Sequence, residues 1–351
     1  MPSDSGQSTI KDVAAMAGVS PTTVSRVLAG DYPVATATRT RVMRAIRELD
    51  YVVNAHARAL SGTTPKSVAF VLNDITGPSF AHVAKGVELQ ASAEGRLCLV
   101  CTTHGDPDRE LAVVEMMRGQ NADAVILVGG GMQTDTYLER MTHFAHALDK
   151  AGSRLVLCGR PPLGPEIPTT VVEYDNEGGA YAITSHLLSA GHRKIVFLGL
   201  VDPLFTTSAE RVSGFVRAHQ AYGITPDPAD IVAGDFSREF GYEGTRRLIA
   251  RGAEFTAIFA ATDMVAAGAM QALREAGLDI PGDVSIAGYD DIPLATDLHP
   301  PLTTVHVPHE EMGRTAVRLA LHRKEYGGGQ HVVLGTHVVV RGSVAPVRPE
   351  H

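Results

Sequence analysis

The sequence predicts two architectures in one chain: an N-terminal all-α head carrying a helix-turn-helix, then an α/β core of two lobes, each a parallel sheet covered by helices. Three observations carry this prediction. Residues 9–28, TIKDVAAMAGVSPTTVSRVL, have the caps, turn residue and apolar spacing of two short helices tightly joined. From Lys66 onward, apolar strand runs alternate with amphipathic helical stretches in two successive series. A chain of 351 residues is long enough for two or three domains with sizeable cores.

In the head, Thr9 caps the first helix, and Asp12 three residues on completes a capping box. Ile10, Val13, Ala14 and Ala17 fall on one face at helical spacing. Gly18 supplies the turn residue, because without a Cβ a positive φ meets no clash. Ser20 is the next N-cap, and Pro21 follows at the first helical position, where its missing N–H is not needed. Val24, Val27 and Leu28 then face the first helix, leaving Thr22, Thr23, Ser25 and Arg26 outward. Such a pair is either an ordinary helical hairpin or a motif whose second helix enters a DNA groove. A third helix, from Thr36 to Leu49, buries Val42, Ile46 and Leu49, and with Ala35 before it the cap is expected on Thr36. Of the arginines at 39, 41, 44 and 47, Arg39 near the helix start is the candidate phosphate contact. Asn54 then caps a stretch, NAHARALSG, of only about two turns, which by itself reads as a fraying linker.

In the core, strand runs at Ser67–Asn73, Leu97–Thr102, Ala124–Val128, Arg154–Cys158 and Thr170–Tyr174 form the first series, with helical stretches near 80–93, 108–119 and 135–150. The second has strands at Lys194–Gly199, Ile231–Ala233, Ala257–Ala260 and Val284–Gly288, and helices near 178–190, 208–222, 238–251 and 263–276. Two such lobes would bind a ligand between them, at the strand carboxyl ends.

Charge distribution matters more than its sum. The chain carries −8, yet residues 1–61 hold seven Lys and Arg against five Asp and Glu, a balance of +2 that leaves −10 on the rest. An acidic body resists lying along phosphates, so contact with nucleic acid falls to the head. No apolar run reaches the ~18 residues of a membrane span, and the polar start, Met1–Ser8, has no hydrophobic signal region, so a cytoplasmic protein is expected. Cys98 and Cys101 stand three apart on a strand, pointing to opposite faces, and read as core thiols rather than a redox or metal pair. Gly129-Gly130-Gly131 lacks phosphate-loop spacing, the fifteen histidines show no metal-ligand spacing, and there is no GxSxG elbow. Neither catalysis, metal nor cofactor is expected.

The run 9–28 closely resembles the head of the LacI/GalR family of transcription regulators, whose pattern is nearly TIKDVAxxAGVSxxTVSRVL. The match continues through Val34, Thr38, Arg39, Arg41, Val42, Ala45, Ile46, Glu48, Leu49, Tyr51 and Asn54. In the core, PLTTVHVP, EEMGRTAVRLAL and VVVRGS match the family's return through the first lobe and its closing strands, so the resemblance spans essentially the full chain. It implies a periplasmic-binding-protein-like core. The implied division is a head over 1–52, a hinge helix and linker over 53–65, and an effector-binding and dimerisation core over 66–351. Within the core, the first lobe takes about 66–175 and 303–328 and the second about 176–302 and 329–351. The implied function is a homodimeric repressor of pseudo-palindromic, double-stranded operator DNA, released by a small-molecule effector, with a sugar or sugar derivative leading and a purine next. A corepressor-dependent regulator uses the same parts. A solute-binding receptor is disfavoured by the head and the missing signal segment.

On the DNA side, the expected contacts are Thr9, Ser20, Pro21, Thr22, Thr23, Ser25, Arg26 and Arg39. Pro21, Thr22 and Arg26 would reach base edges, Arg26 as the candidate for guanine. Asn54, Ala57 and Leu60 match the family's hinge helix, which orders on operator DNA, with Leu60 as a wedge between base steps.

On the effector side, Ser79, in DITGPSF, matches the polar residue that meets a ligand from the first lobe, or else caps the helix beginning there. Phe80 flanks the cleft or packs beneath it. Arg211 falls on the arginine that clamps the effector by forked hydrogen bonds, the alternative being a surface pair with Glu210. Asp290 matches the ligand-facing aspartate, and Asp291 is expected as a cap or lobe contact. Phe236 takes the aromatic position that stacks on a sugar ring or purine, or is a core aromatic. With no Trp, stacking falls to Phe or Tyr, and Phe205, Tyr174 and Tyr289 are further candidates. Three departures stand out. Thr262-Asp263 replaces the frequent Asn-Asp, weakening or rerouting one ligand bond. Gly159-Arg160 replaces Asp-Arg, leaving Arg160 freer to meet an anionic or oxygen-rich ligand. His306 stands where Gln or Arg is common, either making effector binding pH-sensitive or serving as a satisfied structural histidine.

Overall fold

The head consists of three helices, α1 (Ile10–Ala17), α2 (Pro21–Ala29) and α3 (Thr36–Glu48). The computed structural model describes residues 8–29, 33–51, 66–326 and 330–347, and the chain divides into two units, Met1–Lys66 and Ser67–His351. Thr9 donates to Asp12 Oδ2 twice, from its N–H at 2.8 Å and its hydroxyl at 2.7 Å. Gly18 ends α1 at φ +64°. Ser20 Oγ accepts from the Thr23 N–H at 3.2 Å and shares a 2.9 Å bond with the Thr23 hydroxyl. Both caps expected of the helix pair are thus made. At α3 the expectation fails: Thr36 is already helical, and Ala35 is the N-cap with no side-chain bond. Val13, Val24 and Val42, one from each helix, are fully buried and close the head's core with Ala14, Ala17, Val27, Ala45 and Tyr51. Asn54, Ala57 and Leu60 lie outside the described residues.

The second unit is built on two parallel sheets. The first has the order β11-β5-β4-β3-β1-β2, from β1 (Ser67–Leu72), β2 (Leu97–Thr102), β3 (Ala124–Val128), β4 (Leu155–Cys158), β5 (Thr169–Tyr174) and β11 (His331–Leu334). The second has the order β7-β6-β8-β9, from β6 (Ile195–Leu200), β7 (Ile231–Ala233), β8 (Ala257–Ala260) and β9 (Ser285–Ala287). β10 (Thr304–His306) and β12 (His337–Val339) form a separate antiparallel pair. Alternation along β1 divides two cores, with Val68, Phe70 and Leu72 in one and Ala69 and Val71 in the other. The same division separates Cys98 from Cys101, each packed against a different core, though both are half-buried because β2 is an edge strand.

One lobe boundary needs correction. The span 329–351 was assigned to the second lobe, yet β11 pairs with β5 in the first sheet, with His331 opposite Val171. The terminal segment then crosses: Ser343 accepts from Ile286 N–H and its hydroxyl donates to the Ile286 carbonyl, on the second sheet. A strand's alternation fixes its faces but not its partner, and here the free edge of β5 decides.

Helices α4 (Pro78–Ala93), α5 (Pro107–Gly119), α6 (Asp135–Lys150) and α12 (His309–Leu321) cover the first sheet. α7 (Asn176–Ser189), α8 (Thr206–Ala221), α9 (Arg238–Ala250) and α10 (Asp263–Glu275) cover the second. The four-residue α11 (Leu294–Asp297) and α13 (Arg323–Tyr326) complete the set among the described residues. α4 and α12 cross in near-backbone contact: a Cβ on Gly86 would overlap the Glu310 carbonyl, and one on Gly313 the Val83 carbonyl. Two glycines therefore set that helix spacing. Among the described residues no helix is long and apolar enough to cross a membrane.

Candidate functional site

In an open parallel sheet the carboxyl ends of the strands leave a crevice where the chain order reverses. β1 and β3 flank that point in the first sheet, β6 and β8 in the second. A cavity of about 770 Å³ lies there, walled by the loops after both pairs. It is of a size suited to a small molecule. Six of the eight expected effector residues line it: Ser79, Phe80, Arg211, Phe236, Thr262 and Asp290.

Each has a local reason for its place. Ser79 lies inside the first turn of α4 behind Pro78, and Gly77 is the N-cap, so the capping role expected as its alternative belongs to Gly77. Phe80 packs over the loop after β3, where a Cβ on Gly129 would stand 3.0 Å from its ring, while Phe205 covers Gly130. The glycine run is thus a platform for two aromatic rings. Phe236 meets Phe205 edge to face at 6.3 Å. The Thr262 hydroxyl caps α10 by accepting from Val265 N–H at 3.3 Å. That helix end occupies one acceptor position of the hydroxyl and leaves its proton to donate.

Arg211 is 1 % exposed, which removes the surface-pair alternative. Its Nε donates to Asn176 Oδ1 at 2.9 Å, its Nη2 to the Tyr174 hydroxyl at 3.0 Å and Asp290 Oδ1 at 3.2 Å, and its Nη1 to the Ala261 carbonyl. The guanidinium also lies over the Tyr289 ring, 3.7 Å from its centre. Asp290 Oδ2 has no donor among the described residues. Burial pushes the Asp290 carboxyl up to about 6, against the pull of Arg211. Its backbone stands at φ +107°, a strained position for a residue with a Cβ, held by its N–H donating to the Val305 carbonyl at 2.9 Å.

Two expected contacts stand outside the lining. Arg160 was expected to be freed by the missing carboxylate at position 159, but Glu110 of α5 supplies one from elsewhere. Arg160 Nη1 and Nη2 donate to Glu110 Oε1 and Oε2 at 2.9 and 3.2 Å, Nη1 also to the Tyr137 hydroxyl at 2.8 Å, and Nε to the Gly129 carbonyl at 2.9 Å. Burial alone would raise Glu110, but the Arg160 guanidinium holds it below the ordinary carboxylate range. Arg160 is thus bound on every side within the wall and is not among the residues lining the cavity. His306 is also displaced from the site: its Nδ1 bonds Asp291 Oδ2 at 2.9 Å, and its ring leans on His337 across the β10–β12 pair. Asp291 also accepts from Arg341 Nη2 at 2.6 Å, which makes it a lobe contact.

Glu110, Tyr137 and His309 border the cavity without having been singled out. Glu110 carried a readable signal, because it shares a helical stripe with the buried Val114 and Met117, and a carboxylate on an apolar face calls for a partner. The two lobes are also tied across the crevice. Gln133 N–H donates to the Leu204 carbonyl at 3.1 Å and Thr206 N–H to the Gly131 carbonyl at 3.2 Å, while the Thr206 hydroxyl accepts from Gly131 N–H at 3.1 Å. Met132 and Phe205 form the antiparallel bridge between these bonds.

In the head, Thr9, Ser20, Pro21, Thr22, Arg26 and Arg39 are exposed, and Thr23 and Ser25 are half-buried. Since Ser20 and Thr23 hold each other at the helix start, Pro21, Thr22 and Arg26 form the outer face of α2. Among the described residues no three or more His, Cys, Asp or Glu are grouped to hold a metal ion.

Comparisons with known proteins match the head and part of the core separately. The family model for bacterial regulatory proteins of the lacI family matches residues 9–54, and a periplasmic binding protein-like domain matches 184–344. The chain is 35 % identical over 343 residues to the HTH-type transcriptional regulator DegA of Bacillus subtilis (strain 168), covering 97 % of this chain and 99 % of that protein. It is 34 % identical over 345 residues to the HTH-type transcriptional repressor PurR of Haemophilus influenzae (strain PittEE), with the same shares covered. Among solved structures, a complex of the transcriptional regulator CelR with cellobiose superposes with a TM-score of 0.69 at 33 % identity, over 96 % of this chain and 99 % of that one. On head, core and full-length likeness together, the chain belongs to the lacI family of bacterial regulatory proteins.

Proposed function

We propose that the chain is an effector-responsive transcriptional repressor that binds operator DNA through α2 and leaves it when a carbohydrate fills the cavity. The observation that carries the effector reading is Asp290. One carboxylate oxygen is fixed by Arg211 and the other is open to two hydroxyl hydrogen bonds, at a crevice flanked by Phe80, Phe205 and Phe236. Carboxylate and aromatic faces together suit the hydroxyls and apolar face of a sugar ring. The bound cellobiose of the CelR structure supports this class. Acids also outnumber bases around the cavity, with Asp74, Asp106 and Asp235 beside Asp290 and only Arg238 beside Arg211, an arrangement that disfavours anions. The work is binding, not catalysis, and it takes place in the cytoplasm on DNA.

On the DNA side, Thr22 and Arg26 carry direct readout, since proline offers no side-chain donor at position 21. A homodimer places two heads on a pseudo-palindromic site, with Leu60 of each hinge as the wedge. A mobility-shift assay against a palindromic operator library at two salt concentrations tests the reading. A sequence-specific shift that weakens with salt and is reversed by sugar is expected. The absence of any sequence preference would remove the regulator reading. Arg26→Ala should relax preference at one base pair of each half-site by ~1–3 kcal/mol, measured by competition between operator variants.

A further inference from the structure

The lining of the cavity runs well beyond Asp290. In the first lobe it takes in the carboxyl ends of five neighbouring strands, from Tyr174 on β5 through Gly159, Gly131 and Asn73 to His104 after β2. Strands of a sheet stand about 4.8 Å apart, so the four spacings between β5 and β2 make a run of about 19 Å. In the second lobe the loops after all four strands of the sheet take part, from Asp290 after β9 to Asp235 after β7. The two runs point the same way. Arg211 joins Tyr174 to Asp290 at one end, and Gly131 bonds Thr206 partway along, which sets the loop after β7 opposite those after β1 and β2. The two ends differ in exposure. Tyr174, Arg211 and Asp290 are buried, whereas His104, Asp106, Asp235 and Arg238 are exposed. The cavity is therefore closed at the β5–β9 end and open at the β2–β7 end.

From this geometry we infer that the effector is an oligosaccharide read from its end, with its terminal ring at Asp290 and its second ring between the loops after β2 and β7. The inference rests on the carbohydrate reading above and adds the number of rings to it. A single pyranose ring is little wider than one strand spacing, so it leaves most of the run to water. A second ring displaces that water beside Phe236 and brings its hydroxyls to His104 and Asp235. Asp235 holds its own loop with Oδ1, which accepts from Ser237 N–H at 2.9 Å, and Oδ2 has no donor among the described residues. Any third ring lies past the open end in solvent. A ring travelling to Asp290 passes the Met132–Phe205 bridge, because β3 and β6 lie between the two ends.

The test uses the full chain, calorimetry and three ladders of sugars: glucose, cellobiose and cellotriose; glucose, maltose and maltotriose; xylose, xylobiose and xylotriose. In the responding ladder the disaccharide should bind about tenfold more tightly than the monosaccharide, and the trisaccharide about as tightly as the disaccharide. His104→Gly removes a side chain at φ +55°, a conformation that glycine adopts without strain, and Asp235→Ala removes one from the facing lobe. Each should erase most of the disaccharide's advantage at unchanged monosaccharide affinity. Equal affinity for one ring and two, or exclusion of the trisaccharide, would overturn the inference and leave the carbohydrate reading intact. Variants that weaken mono- and disaccharide alike, or neither, would overturn the placement of the second ring. If no sugar of any length binds, both readings fall.

Discussion

Arg160 shows how a single side chain can change its meaning when its partner comes from far along the chain. Fifty residues separate it from Glu110, and the pair is buried with both carboxylate oxygens engaged. Truncating one member of such a pair leaves the other charged and unpaired, so Arg160→Ala should lower unfolding stability by ~3–5 kcal/mol in urea titration. A direct effector contact would instead lower sugar affinity at unchanged stability. Asp290 gives a second test at this scale. Because burial raises its carboxyl to about 6, it gains a proton as pH falls through that value, and a protonated carboxyl accepts hydroxyls less well. Sugar affinity measured by calorimetry should therefore hold from pH 8 to 7 and fall progressively below about 6. His309, neutral down to about 3, adds no slope in that range.

Elements were legible to the degree that their determinants are local. Thr9 with Asp12, Gly18, and Ser20 with Pro21 fix both helices of the reading motif within a span of thirteen residues, and their caps form as expected. The two strand–helix series were equally plain, because a strand buried on both faces reads as an apolar run. What the sequence left open depended on distant partners: the edge on which β11 docks, the carboxylate that meets Arg160, and the ring of Tyr174 that meets His309. The α4–α12 crossing belongs to this group as well. Neither Gly86 nor Gly313 has a positive φ, so nothing in its local conformation demands glycine; only the opposing backbone does. Gly313→Ala should force the two helices apart and cost about 1–3 kcal/mol in thermal or urea unfolding. Ser20→Ala, which removes a cap without touching packing, should cost about 1 kcal/mol of head stability.

At the scale of the core, the first-sheet and second-sheet lobes share one continuous apolar cluster that runs from Val68, Phe70 and Leu72 to Phe197 and Phe259. The lobes therefore share a common packed base, and the crevice lies between their strand ends. There the bridge of Met132 and Phe205, with the bonds from Gln133, Thr206 and Gly131, fastens one lobe to the other. A crevice already fastened has a kinetic signature. Each bond contributes a net ~0.5–1.5 kcal/mol, so three make the unfastened form a minor population that a ligand must wait for. Entry is then governed by a unimolecular step. In rapid mixing with increasing sugar, the observed rate should climb and level off instead of rising in proportion. Gln133→Pro, which removes one of the donors, should raise that plateau. The chain carries its own optical probe for the measurement: with no Trp to mask them, the tyrosines emit unobscured, and Tyr137 and Tyr174 stand in the cavity wall.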